Sequence, residues 1–300
     1  MIREYAVDPD ASCQNLDALQ RFFSDFRAEN GRVITSIPAS PKNWERDQQQ
    51  KIRDLNLPPV ARKKCFDRLK EMEKHSLIGG VQIADDLENW IDKARDVKGQ
   101  MDIDSIITTS TDQEHCEYDY AQILFTHPAN WTLGQTMSVP RNADALANAI
   151  GCSLSIANIA LFVDPYFHPI DDRYRRPLIR FIRKLAGGRQ ACHKAYLHTV
   201  VNEDKPRADI ERGLREHVSP LLPAGFTLET WLWPPQLLHD RFILTKQVGY
   251  AFGHGLDEAT YQGAIEVNVN RIAETARDKE FKAFSNSAPR QGEPIVIVGE

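Results

Sequence analysis

The sequence predicts an α/β protein in which a mixed β-sheet is flanked by helices, with an α+β region at its N-terminus. Apolar residues make up 42% of the 300 positions, which is enough to fill a real core. Strand-like and helix-like apolar patterns alternate regularly after Pro140, as they do when helices cover a sheet. We therefore predict an N-terminal helix and strand region over residues 1–140, an α/β domain over 141–285 and a C-terminal tail over 286–300.

The N-terminal region contains helical and strand-like patterns without a regular alternation. Its first helix is predicted from apolar side chains at helical spacing, with Gly31 as a stop, and a later charged helix is expected to turn Leu69 and Met72 inward. The predicted elements are a helix over 15–28, a strand over 32–37, a helix over 60–75, and short strand or edge pieces over 103–109 and 121–126.

The α/β domain is predicted from apolar runs of strand length that alternate with amphipathic stretches of helix length. Residues 247–249 supply the turn of a hairpin. The predicted elements are helix 143–150, strand 157–163, helix 176–185, strand 195–201, helix 208–222, strand 226–233, hairpin strands 241–245 and 250–252, strand 265–269 and helix 273–284.

Charge and cysteine usage exclude several classes of function. The net charge of -5 argues against a protein that coats nucleic acid with its whole surface, so any polyanion site must be local. The five cysteines are odd in number and lie far apart, which excludes a disulfide framework or a zinc knuckle. We predict no metal and no cofactor, because no His, Cys and carboxylate grouping has ligand spacing and no GKS or GKT follows Gly188. Neither a signal-like N-terminus nor a membrane-length apolar run occurs, so we expect a cytoplasmic protein.

The most basic segment of this acidic chain lies between Asp171 and Lys194. On a helix, three of its arginines share a face opposite Leu178, Ile182 and Leu185, which places a guanidinium row on the surface while the apolar side packs on the sheet. A solvated helix face is the alternative interpretation. The predicted polyanion-binding residues are Arg173, Arg176, Arg180, Arg183 and Lys184. The aromatic candidates for stacking on bases or headgroup edges are Tyr174, Trp231 and Trp233.

The stretch LHDRFILTKQVGYAFGHGLDEA carries a spaced motif that begins at His239. The motif is His-x-Lys, then four residues, Asp, six residues and Gly-Ser-x-Asn. When its histidine is placed on His239, its lysine, aspartate, glycine, serine and asparagine fall in turn on Arg241, Lys246, Gly253, His254 and Leu256. A second anchor is the strand ending VDPYF. On the basis of these two motifs, the region from about residue 145 to about residue 285 resembles one half-barrel unit of the phospholipase D superfamily. The ending GHGLD is most similar to the phospholipase-D-like C-terminal domain of MIT-domain proteins, a branch with an eroded catalytic set.

The resemblance implies a phosphate site at His239. In active enzymes of this family, the histidine at this position attacks phosphorus while a second histidine protonates the leaving oxygen. Because one unit is visible, the second histidine requires a homodimer. Arg241 replaces a lysine and can hold phosphate bidentately. His254 can donate to phosphate, with a structural histidine as the alternative. Lys246 and Leu256 depart from the pattern, and these losses weigh against turnover.

Three hypotheses follow from these observations. The first is a phosphodiester-recognising protein on an eroded phospholipase-D-like fold, which binds nucleic acid or a partner complex. Stand-alone bacterial proteins that resemble this family are associated with defence or mobile-element gene sets. The second is an active, metal-independent, dimeric phosphodiesterase or nuclease that uses His239. The third is a membrane-surface scaffold module, which is less favoured because the apolar side of the arginine helix is needed by the core.

Overall fold

The computed structural model describes residues 1–38, 40–126, 128, 131–190, 192–260, 265–285 and 290–300. The chain divides into two compact units, one formed by Ile2–Gly134 and the other by Gln135–Glu300 together with Met1. Each unit contains a β-sheet and helices, and the sheet of the second unit is mixed. The predicted class, α/β with a mixed sheet flanked by helices, is confirmed.

Helices connect the first four strands of a parallel sheet in the N-terminal unit. Its described strands are β1 (Arg3–Val7), β2 (Arg32–Thr35), β3 (Leu77–Ile78), β4 (Ser105–Thr108) and β5 (Glu117–Asp119). They pair in the order β3-β2-β1-β4-β5, and every one of these pairings is parallel. Its helices are α1 (Pro9–Ser12), α2 (Leu16–Asp25), α3 (Pro41–Asp54), α4 (Pro59–His75), α5 (Trp90–Gln100) and α6 (Ile123–Thr126). This parallel arrangement is more regular than the α+β prediction for residues 1–140.

The apolar faces of these helices form the core of the N-terminal unit. Leu19 and Phe22 of α2 are fully buried, and Leu69 and Met72 of α4 face inward as their spacing predicted. Elements β1, α3 and α5 were not predicted, because charged residues interrupt their apolar patterns. The expectation of a strand or edge piece over 121–126 was wrong. That stretch contains the helical turn α6, since a short apolar run fits either structure.

The C-terminal unit is built on an eight-stranded mixed sheet. Its strands are β6 (Thr136–Pro140), β7 (Ala160–Val163), β8 (Lys194–Val200), β9 (Thr227–Trp233), β10 (Phe242–Thr245), β11 (Gly249–Phe252), β12 (Glu266–Ile272) and β13 (Ile295–Val298). Their order is β13-β9-β8-β7-β10-β11-β12-β6. The pairings β7 with β8 and β8 with β9 are parallel, and the others are antiparallel.

Helices flank this sheet, and all of those described except α8 lie where the sequence predicted a helix. They are α7 (Ala143–Ala149), α8 (Gly151–Ser155), α9 (Asp172–Ala186), α10 (Arg207–Gly213) and α11 (Glu274–Ser285). A π-helical turn over Leu214–Val218 extends α10. The ring of Phe181 in α9 stacks on Phe162 of β7 with centroids 5.8 Å apart, which joins helix and sheet in the core.

Two strands lie outside the predicted α/β domain. Strand β6 was assigned to the N-terminal region, but it pairs with β12 and so belongs to the C-terminal sheet. Strand β13 was assigned to the tail, but it pairs with β9 and buries Ile295 and Ile297. Both corrections have the same cause, because an edge strand is defined by a distant partner rather than by its own short pattern.

The sheet topology brings several connections to one edge. The carboxyl ends of the parallel strands β7, β8 and β9 meet there. Strand β10 is antiparallel to β7 and begins at this edge, while β11 ends at it. Ligand sites of α/β proteins form outside the carboxyl ends of parallel strands, so this edge is where a site is expected.

Candidate anion-binding edge of the C-terminal sheet

We call this edge of the C-terminal sheet, with the side chains that its connections carry, the edge site. Its members are Asp164 and Tyr166 after β7, Lys205 after β8, His239 and Arg241 before β10, and His254 after β11. The three motif residues predicted from the sequence, His239, Arg241 and His254, thus lie at the same edge of one sheet. Their placement follows from the hairpin β10–β11, whose open end carries all three.

Arg241 is a half-buried guanidinium that forms no ion pair with a carboxylate of the described residues. Its guanidinium carbon lies 4.7 Å from the centre of the Tyr166 ring, within the range of a cation–π interaction. Its Nε is buried without a hydrogen-bond partner, and no described carboxylate forms an ion pair with it. The backbone carbonyl of Arg241 accepts a hydrogen bond from the Phe252 N–H at 3.0 Å, which ties the start of β10 to the end of β11. The fork of this side chain is therefore available to a ligand.

His239 and His254 are both exposed at the open end of the hairpin. Nε2 of His239 lies 3.0 Å from the backbone carbonyl oxygen of Gln236. A carbonyl oxygen can only accept, so the neutral ring of His239 carries its proton on Nε2 and keeps a lone pair on Nδ1. That state of the ring can either accept a proton or attack an electrophile.

The turn after β7 is fixed by the buried side chain of Asp164. Its two carboxylate oxygens accept hydrogen bonds from the backbone N–H of Tyr166 at 2.9 Å and of Leu256 at 3.0 Å. Burial raises the pKa of Asp164 above its ordinary range, and the two N–H donors and Arg241 oppose this shift. Leu256 is buried and contributes its backbone to the site where the motif has an asparagine side chain.

Lys205 holds the same turn from the other side, and sequence analysis did not identify it. Its Nζ donates to the carbonyl oxygens of Pro165 and Phe167 at 3.0 and 2.9 Å, and to Oγ1 of Thr199 at 3.0 Å. All three ammonium protons are used, which satisfies a buried cation without a carboxylate contact. Burial lowers the pKa of Lys205 to about 8, with Asp164 opposing this shift. A lysine in the polar loop NEDKP carries no sequence signal of burial.

Arg173 was predicted as a polyanion ligand, but its side chain turns toward acidic and phenolic neighbours. Its guanidinium lies 3.0 Å from Asp171 and 3.7 Å from Asp257, and it donates to the Tyr174 hydroxyl at 2.7 Å. Asp257 is buried and also pairs with Arg141 at 2.7 Å. The physical reason is that a buried carboxylate needs cationic partners, so Arg173 contributes to this cluster rather than to the exposed row.

The arginine row on α9 has the geometry that its spacing predicted. The exposed members are Arg176, Arg180, Arg183 and Lys184. The buried members on the opposite face are Leu178, Ile182 and Leu185. A groove of about 410 Å³ runs along this row between α9 and α7, and Leu221 forms part of its wall. We call it the α9 groove.

Part of the charge in the α9 groove is neutralised by neighbouring carboxylates. Arg176 lies 3.4 Å from Asp172 and 3.8 Å from Glu258, and Arg180 lies 2.9 Å from Asp144. Within the part of the chain that the structure describes, Arg183 and Lys184 form no ion pair. The solvated-face interpretation and the polyanion interpretation of this row therefore both remain compatible with its geometry.

The aromatic candidates predicted for stacking are not the ones that the surface offers. Tyr174 and Trp233 are buried in the core, and one face of Trp231 is covered by Arg290 at 4.0 Å. Tyr166 is 58% exposed and lies beside Arg241. Sequence analysis did not select Tyr166, although the VDPYF turn places a tyrosine directly after a strand and a proline.

One group of possible metal ligands lies in the N-terminal unit, where the sequence predicted none. Oxygen and nitrogen atoms of Asp112, His115 and Glu117 lie within 4.8 Å of one another. Arg95 already donates to Glu117 at 2.5 Å and approaches Asp112 at 3.4 Å, and His115 contacts Asp112 at 2.8 Å. The arginine supplies the positive charge that brings these carboxylates together, which makes the group an ion-pair network.

Similarity to known proteins is found among solved structures. No protein-family model matches the chain, and no curated protein matches it. Among solved structures, it is similar to TrmBL2, an archaeal chromatin protein whose structure shows a novel mode of DNA binding. That match has 12% identity and a TM-score of 0.28, and it covers 79% of this chain and 84% of that chain. Within the described residues, no helix is long and apolar enough to cross a membrane.

Proposed function

We propose that this chain recognises phosphodiester groups of nucleic acid at the edge site, on a phospholipase-D-like unit in which Arg241 is the principal phosphate ligand. The observation that carries the proposal is the state of Arg241. Its guanidinium is oriented by Tyr166 and has no carboxylate partner among the described residues. A planar fork held in this way matches two phosphate oxygens.

The contrast with neighbouring arginines supports this assignment. Arg141, Arg173 and Arg180 each have a carboxylate within 3.0 Å. These cations are already paired within the protein, whereas Arg241 forms no ion pair with a carboxylate among the described residues and interacts with the buried Asp164 only at longer range. His239 and His254 at the same edge can add donors when protonated.

The α9 groove offers secondary contacts to an extended polyanion. Arg183 and Lys184 point from an exposed helix face and carry no ion pair within the described residues. Exposed lysines and arginines contribute sequence-independent affinity by releasing counterions from phosphates. A ligand with many phosphates can therefore use both surfaces.

The test is binding of a fluorescein-labelled oligonucleotide across a sodium chloride series. The variant is Arg241→Ala, and the matched control is Arg212→Ala, which removes an exposed arginine paired with Asp209 at 2.7 Å. We expect Arg241→Ala to weaken binding about tenfold and to reduce the slope of log K against log salt by about 1. A flat salt dependence, or equal affinities for the two variants, contradicts the proposal.

A second candidate function is phosphodiester cleavage, and the hydrogen bond of His239 favours it. With its proton on Nε2, held by the Gln236 carbonyl, the ring presents the Nδ1 lone pair. Nδ1 attacks phosphorus, so a P–N bond forms as the P–O bond breaks. A second protonated histidine gives its proton to the leaving oxygen, and water then hydrolyses the phosphohistidine. His254, or His239 of a second copy, is the source of that proton.

Incubation with single-stranded and duplex DNA and RNA in EDTA tests this second function. We expect metal-independent cleavage that His239→Ala and His239→Asn abolish while Arg212→Ala retains it. If no product forms, or if the His239 variants cut as fast as the wild type, the cleavage hypothesis is wrong and the binding proposal stands alone. Sizing the protein in solution tests the predicted homodimer, since a strict monomer leaves His254 as the acid.

A further inference from the structure

We infer that the ligand of the edge site is single-stranded nucleic acid, with a base stacked on the exposed side of Tyr166 and a neighbouring phosphate held by Arg241. This inference rests on the proposed function and names its substrate class. It joins three points, namely an exposed aromatic ring with a cation on its face, the buried lysine that fixes the turn beneath the ring, and the fit of an unstacked base to this arrangement.

The first observation is the exposure of Tyr166. Its ring is 58% exposed, although it follows directly on the buried residues Asp164 and Pro165. Arg241 lies over one face at 4.7 Å, so the exposed area belongs to the remainder of the ring. An exposed aromatic ring at the end of a strand, with a guanidinium on one face, can stack with a second planar group such as a nucleic-acid base.

The second observation is that the backbone which carries this platform is held rigid. The N–H of Tyr166 donates to Asp164, and the carbonyl groups on either side of it, from Pro165 and Phe167, accept from Lys205. Burial of that ammonium is costly, and its pKa is lowered accordingly. The turn is therefore ordered before a ligand arrives, so binding loses little additional conformational entropy.

The third observation concerns what a base can do here that a duplex or a membrane cannot. In a duplex, the faces of the bases are covered by their neighbours, so only unstacked bases can lie on an aromatic side chain. A bilayer surface prefers an amphipathic helix with an apolar face, whereas the exposed apolar side chains Ile170, Leu237 and Ile265 lie on three separate connections of the sheet rather than on one helix. One cation beside one aromatic ring matches a phosphate and its base.

The experiment compares three fluorescein-labelled probes of equal length at one salt concentration. They are a single-stranded oligodeoxynucleotide, an abasic oligodeoxynucleotide with the same number of phosphates, and a blunt duplex. We expect the wild type to bind the single strand roughly tenfold more tightly than the abasic strand, within the range measured for base–aromatic stacking. The duplex should resemble the abasic strand.

Variants of Tyr166 assign the preference to its ring. Tyr166→Ala should bind the single strand and the abasic strand with nearly equal affinity, because the stacking is lost; loss of the ring that supports Arg241 should weaken both affinities alike. Tyr166→Phe keeps the ring and should retain the wild-type preference. The side chain is exposed, so neither change is expected to prevent folding, and circular dichroism confirms this.

The outcomes separate this inference from the proposed function. Equal binding of the single and abasic strands, with both weakened by Arg241→Ala, overturns the base-stacking inference and leaves phosphate recognition intact. If Arg241→Ala changes neither affinity, the proposed function fails as well. Tight binding to vesicles that contain phosphatidylserine, without binding to any oligonucleotide, identifies a membrane ligand and overturns the inference.

Discussion

Arg141 and Asp257 form an ion pair of 2.7 Å in which both side chains are buried. Asp257 follows His254 closely in the chain, so this pair anchors the loop that carries one of the edge-site histidines. A Cβ at Gly255 would lie only 2.3 Å from the Asp257 carboxylate, which shows how tightly the loop wraps around it. The glycine and the ion pair are therefore two parts of one anchor.

Asp257→Asn should destabilise the protein strongly. The change removes the carboxylate charge that the buried Arg141 guanidinium faces at 2.7 Å, and loss of one partner of a buried pair costs about 3–5 kcal/mol. Urea unfolding followed by circular dichroism measures the free energy of unfolding. The control is Asp209→Asn, which breaks an exposed pair with Arg212 and should cost less than about 1 kcal/mol. Similar losses in the two variants would show that the buried pair has no special role.

Asp144→Asn should increase affinity for oligonucleotides. Asp144 is exposed and lies 2.9 Å from Arg180, so its carboxylate neutralises a cation of the α9 groove. Its removal frees one guanidinium for phosphate, and we expect about a threefold gain at low salt that disappears as salt rises. Asp209→Asn frees Arg212 outside the groove and serves as the control. If the two variants bind equally, the α9 groove does not contact the ligand.

His198→Gln should remove part of the acid sensitivity of the fold. His198 is buried, its Nδ1 accepts from Trp233 Nε1 at 3.0 Å, and burial, with a smaller effect of Arg290, lowers its pKa well below the ordinary value. As pH falls below about 6.5, the unfolded chain binds a proton that the native ring does not. The wild type therefore loses about 1.4 kcal/mol of stability per pH unit from this residue.

Glutamine keeps an acceptor for Trp233 but cannot bind that proton. Urea unfolding at several pH values between 7.5 and 5 should give a shallower dependence for the variant than for the wild type. Parallel dependences in the two proteins would mean that the native state accommodates a protonated His198.

Sequence periodicity predicted those features that depend on local spacing. It placed Arg176, Arg180 and Arg183 on the exposed face of α9, because one side of a helix on a sheet must be apolar. It also placed His239 at the start of the hairpin, because a strand pair with a tight turn has a local signature. These predictions required no knowledge of distant partners.

The features that sequence analysis missed depend on contacts between distant residues. Lys205 is 40 positions from Pro165, and its burial follows from the parallel pairing of β7 with β8. Arg173 was predicted to face a ligand, and its guanidinium lies 3.0 Å from Asp171 and 3.7 Å from Asp257, which belongs to another connection. Short-range patterns cannot indicate which of several arginines meets a carboxylate from another connection, and that choice decides which cation is left for a ligand.

Lys205 should make base recognition sensitive to alkaline pH. Its pKa of about 8 lies below its ordinary value of 10.5 because the ammonium is buried. Loss of a proton leaves two donors for three acceptors, so the turn that carries Tyr166 loosens as pH rises through this value. The facing titratable groups are Asp164, which favours the ammonium, and His168, whose pKa is lowered by burial and by Lys205.

The effect of Lys205 on stability has the opposite sign. Between pH 8 and 10.5 the unfolded chain binds more protons than the native state, so this residue adds stability as pH rises, by up to about 3 kcal/mol. A loss of base preference over this interval therefore cannot be attributed to Lys205 destabilising the fold. The two measurements together separate positioning of the turn from maintenance of the structure.

The measurement is the ratio of affinities for the single strand and the abasic strand between pH 7 and 9. It is made in a Tyr166→Phe background, which keeps the aromatic ring and removes the hydroxyl group. We expect the ratio to fall above pH 8 with Lys205 present, and to be low and independent of pH in Lys205→Met, because the methionine donates no hydrogen bond to Pro165 or Phe167. A ratio that stays constant while Lys205→Met retains the full preference would show that the ring of residue 166 is held without the lysine.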